Sequence, residues 1–435
     1  MRYQSPPSEL FTRNRKAFTA RMEPNCIAVF HANDLHPSNG DASYKFVQNN
    51  NLYYLSGLDQ EEIILVLFPD APEERFKEML FIKATNKHIQ VWEGWKYSKK
   101  EAQAVSGVET IYFYKDFESV ISRLLYHFSG IYLDINEHSR LNTFVPTAAH
   151  RLAEKFRQEY PTHRLHRAAP IMEDLRVIKQ EAEIEVVEKA VSITGDAFHR
   201  VLEFVEPGKY EYEIEAEILH EFIRQGASGT AFDTIVASGK DSCVLHYVHN
   251  DKEVKDGDLI LIDMGARYGN YCADMTRTIP ANGRFTSRQR DIYKGTLAIL
   301  KFATSQLLVG NNFDNYNKEV GRFITEQCLE LGLLKKEDVA KEDPDDPQAY
   351  RKYCMHGISH FLGLDTHDVG TKYQAFKPGM LLTCEPGLYI PEENIGIRLE
   401  NDILISKDGP VNLMKDILLE PEEIEEAMAK KQAIK

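Results

Sequence analysis

The chain has 435 residues and a formal net charge of -15. It carries no basic excess to neutralise phosphates, which excludes nucleic acid and anionic membrane as main partners. The length predicts two to three domains. The six cysteines, at positions 26, 243, 272, 328, 354 and 384, show no CxxC spacing and suit a reducing compartment. The first residues contain no apolar stretch of the signal-peptide kind, and no apolar run approaches spanning length, so a cytoplasmic location is expected.

In chain order, residues up to about 172 alternate β-rich runs (CIAVFHA, EEIILVLF, EMLFIKA, GIYLDI) with helix-like stretches over 117–126 and 147–160. This predicts an α/β amino-terminal domain over 1–172 and a second domain over 173–435. The second opens with a helical pattern from about Ile171 that Pro207-Gly208 stops, and a further helix spans Glu211–Arg224. A strand-rich block follows from Phe232 to Ile279. Helices return from Thr286 or Ser287 to Gly310 and from Tyr316 to Leu331. The acidic stretch 335–348 reads as a solvated loop, and the charged tail after Glu420 as an exposed helix.

The chemistry lies in the strand-rich parts. In GDLILIDMGARYGNYCADMTRT, apolar runs lead to Asp263 and away from Asp274, with a turn expected at Tyr268-Gly269. Opposed residues of an antiparallel hairpin have a constant total, and the value of 537 for this pair places the two carboxylates face to face. Glu385 and Glu400, totalling 785, repeat the pattern around Pro391–Asn394. Gly257 and Gly379 each precede the first acid by six residues, and Gly265 and Gly387 each follow it by two. The two hairpins therefore form a weak internal repeat.

Four carboxylates converging on one cleft call for cationic compensation. Between the hairpins lies HGISHFLGLDTHD, with His356, His360 and His367. His356 and His360, four apart, share a face of either a helix or a strand. Glycine beside His356 rules out a zincin, which needs glutamate there. Carboxylate oxygen with one imidazole is a hard donor set, suited to Mn or Mg and tolerated by Zn, Co or Fe. The metal set is thus Asp263, Asp274, His360, Glu385 and Glu400. Two ions about 3.5 Å apart would activate a water between them to attack a carbonyl, with no protein nucleophile. Glu385 is placed to shuttle the proton to a leaving amine. His246, in LHYVHN, is a further candidate, or else a strand histidine with satisfied bonds. Arg398 could orient Glu400 or receive a substrate carbonyl or carboxylate, and Tyr389 could face the cleft. Alternation turns Cys272 and Cys384 away from the metals.

At these residues the chain resembles the pita-bread metallopeptidases, in the aminopeptidase P and prolidase branch. LHYVHN, DGDLILIDMGARYGNYCADMTRT, HGISHFLGLDTHD, EPGLYIP and IRLEND carry the resemblance, and YKFVQNNNLYYLSGLDQEEIILVL with VWEGW extend it over nearly the whole chain. It implies an α+β architecture: a carboxy-terminal pita-bread fold, that is, a curved antiparallel sheet with flanking helices and a pseudo-two-fold repeat, behind an amino-terminal α/β domain with a mixed sheet. It also implies two Mn(II) ions or similar per subunit, with His356, His246 and His367 in substrate binding and transition-state support. Arg398 would lie near the residue after the scissile bond. The implied reaction releases an amino-terminal residue that precedes proline. Trp92 resembles an aromatic residue that reaches a neighbouring subunit's cleft, implying a homo-oligomer, dimer or tetramer; otherwise it is a buried anchor. The nearest rival is an Xaa-Pro dipeptidase, which shares every catalytic residue. A metal-free binding module or amidinohydrolase of the same fold would be expected to have lost ligands that are intact here.

Overall fold

The computed structural model describes residues 3–138, 145–341, 343 and 348–432. The chain divides into two compact units, Ser5–Arg176 and Val177 onward, the second including Tyr3 and Gln4. The expected boundary after residue 172 falls inside the helix Ala169–Arg176.

In the first unit, β1 (Cys26–His31), β2 (Ile64–Leu67), β3 (Glu78–Ile82), β4 (Thr110–Phe113), β5 (Gly130–Leu133) and β6 (Arg164–Arg167) form one sheet in the order β4-β3-β2-β1-β5-β6. Pairing is antiparallel for β1–β2 and β2–β3 and parallel for the rest, so the sheet is mixed. Central strands are apolar on both faces because both are covered. Ile27, Val29, Ile64, Val66, Phe81 and Ile131 pack against Phe117, Val120, Ile121 and Leu124 of the helix Phe117–Leu124, and against Phe156 of the helix Ala148–Glu159.

The second unit opens with α1 (Glu181–Phe204), preceded by a break at Val177–Gln180 that separates it from the helix ending at Arg176. One continuous helix from Ile171 was expected. A reciprocal cap between Gln180 and Glu183 starts α1 afresh, and its buried face repeats at Val187, Ala190, Val191, Thr194, Ala197, Phe198 and Val201. The helix α2 (Glu211–Arg224) covers the predicted range. Later, α3 (Ser287–Gln306) starts on the Thr286–Gln289 capping box, and α4 (Phe313–Glu330) on Asn312. Of the acidic stretch, 336–339 form a short helix, while 342 and 344–347 lie outside the described residues. The tail helix Pro421–Gln432 is not wholly exposed: Ile424 and Met428, one turn apart, are buried. Among the described residues no helix is long and apolar enough to cross a membrane.

Strands of this unit fall into two related hairpins. The first contains β7 (Ile235–Ser238), β8 (Leu259–Met264), β9 (Ala266–Tyr268), β10 (Tyr271–Cys272) and β11 (Met275–Pro280), with β7-β8-β11 forming one antiparallel sheet. The second contains β12 (Leu381–Cys384), β13 (Gly387–Ile390), β14 (Ile395–Arg398), β15 (Asn401–Ser406) and β16 (Gly409–Asn412), pairing β12-β15-β16 and β13-β14. The repeat seen in the sequence is structural. Gly257 and Gly379 both adopt positive φ, 83° and 90°, in the turn that launches β8 or β12. The returning strands lie side by side: Glu400 N donates to Thr276 O at 3.1 Å, Arg398 N to Thr278 Oγ1 at 3.3 Å, and Asp274 N to Asp402 Oδ2 at 3.2 Å. These crossings join the two halves along an approximate two-fold relation.

Candidate metal centre and active site

The second hairpin has the predicted register. Cys384 pairs with Asn401 and Gly387 with Arg398, both totalling 785, so Glu385 and Glu400 stand level across the short interruption between them. The chain reverses through Pro391–Glu393 onto Asn394 in the left-handed region.

The first hairpin corrects the expectation. Asp263 pairs with Thr276, and Asp274 falls level with Gly265 rather than with Asp263. The turn residues are Gly269 and Asn270, with φ of 55° and 64°, the two-residue turn that matches strand twist. Moving the turn by one residue moves the register by two. An even shift preserves the face, so the carboxylates become diagonal neighbours on one side. Close approach here requires glycine: a Cβ on Gly265 would sit 1.8 Å from Ala273 O.

The histidine segment is neither helix nor regular strand. It runs extended beside β12, with Glu385 N donating to Ile358 O at 2.8 Å, Thr383 N to His360 O at 2.9 Å and Leu362 N to Leu381 O at 3.0 Å. Even spacing along extended backbone keeps His356 and His360 on one side. His360 Nε2 lies 3.5 Å from Asp274 Oδ2 and 3.6 Å from Glu385 Oε1, and Asp274, His360 and Glu400 each offer a donor atom within 4.8 Å of the others. Its Nδ1 faces Phe361 O at 2.9 Å; a carbonyl only accepts, so Nδ1 carries the proton and Nε2 offers its lone pair inward.

Electrostatics fit cations at this spot. Burial, then the charges of Asp263, Asp402 and Glu385, hold Asp274 well above the usual carboxylate range. Burial, then Asp274, Asp263 and Glu385, do the same to Glu400. Asp263 Oδ1 is buried with no hydrogen-bond partner. An orphaned carboxylate oxygen beside mutually repelling acids and an inward imidazole lone pair is a donor set that divalent cations satisfy.

Arg398 is engaged with Asp263 rather than Glu400. Its Nη2 donates to Asp263 Oδ2 at 2.6 Å, Nη1 to Tyr389 Oη at 2.9 Å and Nε to Thr276 Oγ1 at 3.1 Å. Burial opposes its charge, but Tyr389, Asp263 and Glu400 outweigh it and keep the guanidinium firmly protonated. Tyr389, fully buried, donates its hydroxyl hydrogen bond to His356 Nε2 at 2.8 Å. His356 Nδ1 faces Gly357 O at 2.7 Å, so this ring is neutral and singly protonated. Burial, followed by the charge of Arg398, pushes it down to about 4. Glu385 Oε2 lies 3.7 Å from the same ring.

His246 is exposed, in a turn after a short 3-10 helix rather than in a strand, and close enough for its charge to bear on His356. His367 is exposed and stacks its ring on His360 with centroids 4.1 Å apart. Trp92 belongs to the first unit, on the helix Lys87–Glu93; at 76% exposed it is no buried anchor. Cys272 and Cys384 are buried, their sulfurs on Leu364 O and on Tyr316 Oη with Leu300 O.

Three site residues escaped the sequence reading. Thr276 Oγ1 donates to Glu400 Oε2 at 2.6 Å, Thr383 Oγ1 accepts from His360 N at 3.1 Å, and buried Asp402 accepts from Asp274 N. Thr276 and Asp402 each stand two residues after a proposed ligand, where strand parity could have found them.

The profile of metallopeptidase family M24 matches residues 185–407, and that of the aminopeptidase P N-terminal domain matches 11–132. The Xaa-Pro aminopeptidase of Escherichia coli K12 is 35% identical over 96% of this chain and 97% of its own. The chain belongs to metallopeptidase family M24, in its aminopeptidase P branch. The Haemophilus influenzae Xaa-Pro aminopeptidase is 33% identical, with 97% of each chain covered. A Bacillus anthracis structure assigned to aminopeptidase P superposes with a TM-score of 0.90, at 37% identity over 98% of this chain and 99% of that one. E. coli aminopeptidase P with the inhibitor Pro-Leu gives 0.88, at 32% identity over 99% and 100%. The α+β pita-bread architecture with an amino-terminal domain is therefore established, and the protein is a metal-dependent, hydrolytic aminopeptidase. These full-length relatives do not favour the dipeptidase alternative.

Proposed function

We propose that the enzyme releases the amino-terminal residue from peptides whose second residue is proline, in the cytoplasm, as a homo-oligomer using two Mn(II) ions per subunit. The observation that carries the site reading is the meeting of Asp274, His360 and Glu400, with Glu385 Oε1 3.6 Å from His360 and an orphaned buried oxygen on Asp263, whose charge bears on Asp274. Those five residues would hold the ions, which when bound supply Lewis acidity to a peptide carbonyl and acidify water.

The chain's own residues do the rest. Glu385, with its side chain partly exposed and its two oxygens beside His360 and His356, accepts a proton from the attacking water and returns it to the leaving nitrogen. Arg398 and Tyr389 fix the His356 ring as a neutral imidazole beside Glu385. The exposed rings of His246 and His367 face the peptide. Proline offers no scissile N–H, so a site that works through the carbonyl and the leaving nitrogen loses nothing on an imide bond. The experiment compares Xaa-Pro-Yaa-Zaa, Xaa-Ala-Yaa-Zaa and the dipeptide Xaa-Pro. Faster cleavage of the first is expected; cleavage of the dipeptide alone, or preference for alanine, contradicts the specificity.

A further inference from the structure

Within the amino-terminal unit, three chemically different donors meet at one edge of the sheet. Cys26 opens β1, His166 lies on β6, and Gly130 opens β5 between them. Side chains from two strands that are not neighbours can touch only across a gap in the middle strand, and Gly130 provides it. A Cβ at Gly130 would lie 2.5 Å from Cys26 Sγ and 2.7 Å from His166 Nε2. Cys26 Sγ is 3.9 Å from His166 Nε2, and Glu23 Oε1 is 3.9 Å from the other nitrogen of that ring, Nδ1. One donor atom from each of Glu23, Cys26 and His166 falls within 4.8 Å of the other two.

The surroundings hold these groups in place. The His166 ring stacks on Tyr132 at 4.7 Å with an interplanar angle of 19°; Tyr132 Oη accepts from Glu23 N at 3.2 Å, and Asp70 accepts from Asn25 N at 2.7 Å. Cys26 is buried, while the Glu23 carboxylate is 58% exposed, so the cluster opens to solvent on one side.

We propose that Glu23, Cys26 and His166 form a further metal site, selective for a thiolate-seeking divalent ion such as Zn. A tetrahedral zinc with thiolate and imidazole ligands sets sulfur and nitrogen about 3.6 Å apart, a few tenths of an ångström closer than they stand. Sulfur, nitrogen and oxygen supply three ligands, and water takes the fourth position. On binding, the Cys26 S–H bond breaks, its proton leaves to solvent, and sulfur bonds the ion with no change in oxidation state. Without an ion, burial and then the charges of Glu23 and Asp70 push the thiol up. That same negative field draws a cation in, and the cation reverses it.

The test uses Co(II) as the probe on the full chain after chelation. Thiolate ligation gives cobalt a near-ultraviolet charge-transfer band that oxygen and nitrogen ligands do not, so the catalytic ions do not mask it. The expected result is such a band in the wild-type protein, displaced by Zn, and lost in Cys26→Ser and in Gly130→Ala, which fills the gap while keeping all three donors. Circular dichroism checks that each variant is folded, and both should cleave peptide at the wild-type rate. Absence of the band in wild type, or its persistence in either folded variant, overturns the proposal.

Discussion

Lys179 and Asp368 form an ion pair with both side chains 1% exposed and Nζ to Oδ2 at 2.8 Å. Lys179 also donates its backbone N–H to Gly379 O at 2.7 Å, and Asp368 is the residue after His367. The pair therefore ties the start of the second unit to the loop that presents His367. At 2.8 Å and an effective dielectric constant of about 20, the attraction is about 6 kcal/mol, set against several kcal/mol of desolvation for each ion. The intact pair thus contributes little net. Breaking it differs, because Lys179→Met leaves a buried carboxylate without its cation and should destabilise by about 3–5 kcal/mol. Lys179→Met combined with Asp368→Leu should recover most of that loss, a coupling that a double-mutant cycle in urea measures on chelated protein. Peptidase activity should stay low in the double variant, because the tether on the His367 loop is gone. A Lys179→Met variant within about 1 kcal/mol of wild type, or a double variant no better than the single, would show that stranding the Asp368 carboxylate carries no such cost.

Further outcomes follow from the same geometry. Glu183 is fully buried, accepting from Tyr271 Oη at 2.8 Å and from Gln180 N at 2.9 Å, and burial pushes it up to about 7. A carboxyl raised in the folded state gives stability that is full below the unfolded value near 4.5 and falls as pH rises to about 7. Glu183→Gln should flatten that slope and be about 3 kcal/mol more stable than wild type at pH 8; denaturation at pH 5 and 8 checks it. Tyr389→Phe removes the link between Arg398 and His356 and should lower kcat about 10–100-fold with little change in KM, by steady-state kinetics. Gly265→Ala forces Asp263 and Asp274 apart and should destabilise by about 3 kcal/mol, with calorimetry showing weaker metal binding.

Much of this was legible in the residues because strands encode position by parity. Glu385 and Glu400 could be paired by number, since the register holds on both sides of their interruption. Asp263 and Asp274 could be put on one face but not level, because the Gly269-Asn270 turn depends on two consecutive positive φ values that residue totals do not reveal. The helix α2 was readable to its ends, whereas the break before α1 was not, as Gln180 and Glu183 cap each other within an unbroken apolar pattern. Arg398 shares a face with Glu400, yet it serves Asp263 from the other hairpin. Contacts across the two-fold relation are set by tertiary packing, so parity could put Thr276 and Asp402 on the ligand face but not name the partners they meet there, Glu400 and Asp274.

The proposed metal centre joins carboxylates of both hairpins to His360 and drives peptide hydrolysis. Its most direct test is calorimetric titration of chelated wild type and Asp274→Ala with Mn(II), alongside cleavage of Xaa-Pro-Yaa-Zaa. Wild type should bind two ions per chain and regain turnover. Asp274→Ala should bind at most one and stay inactive, and full metal-dependent activity in that variant would contradict the account.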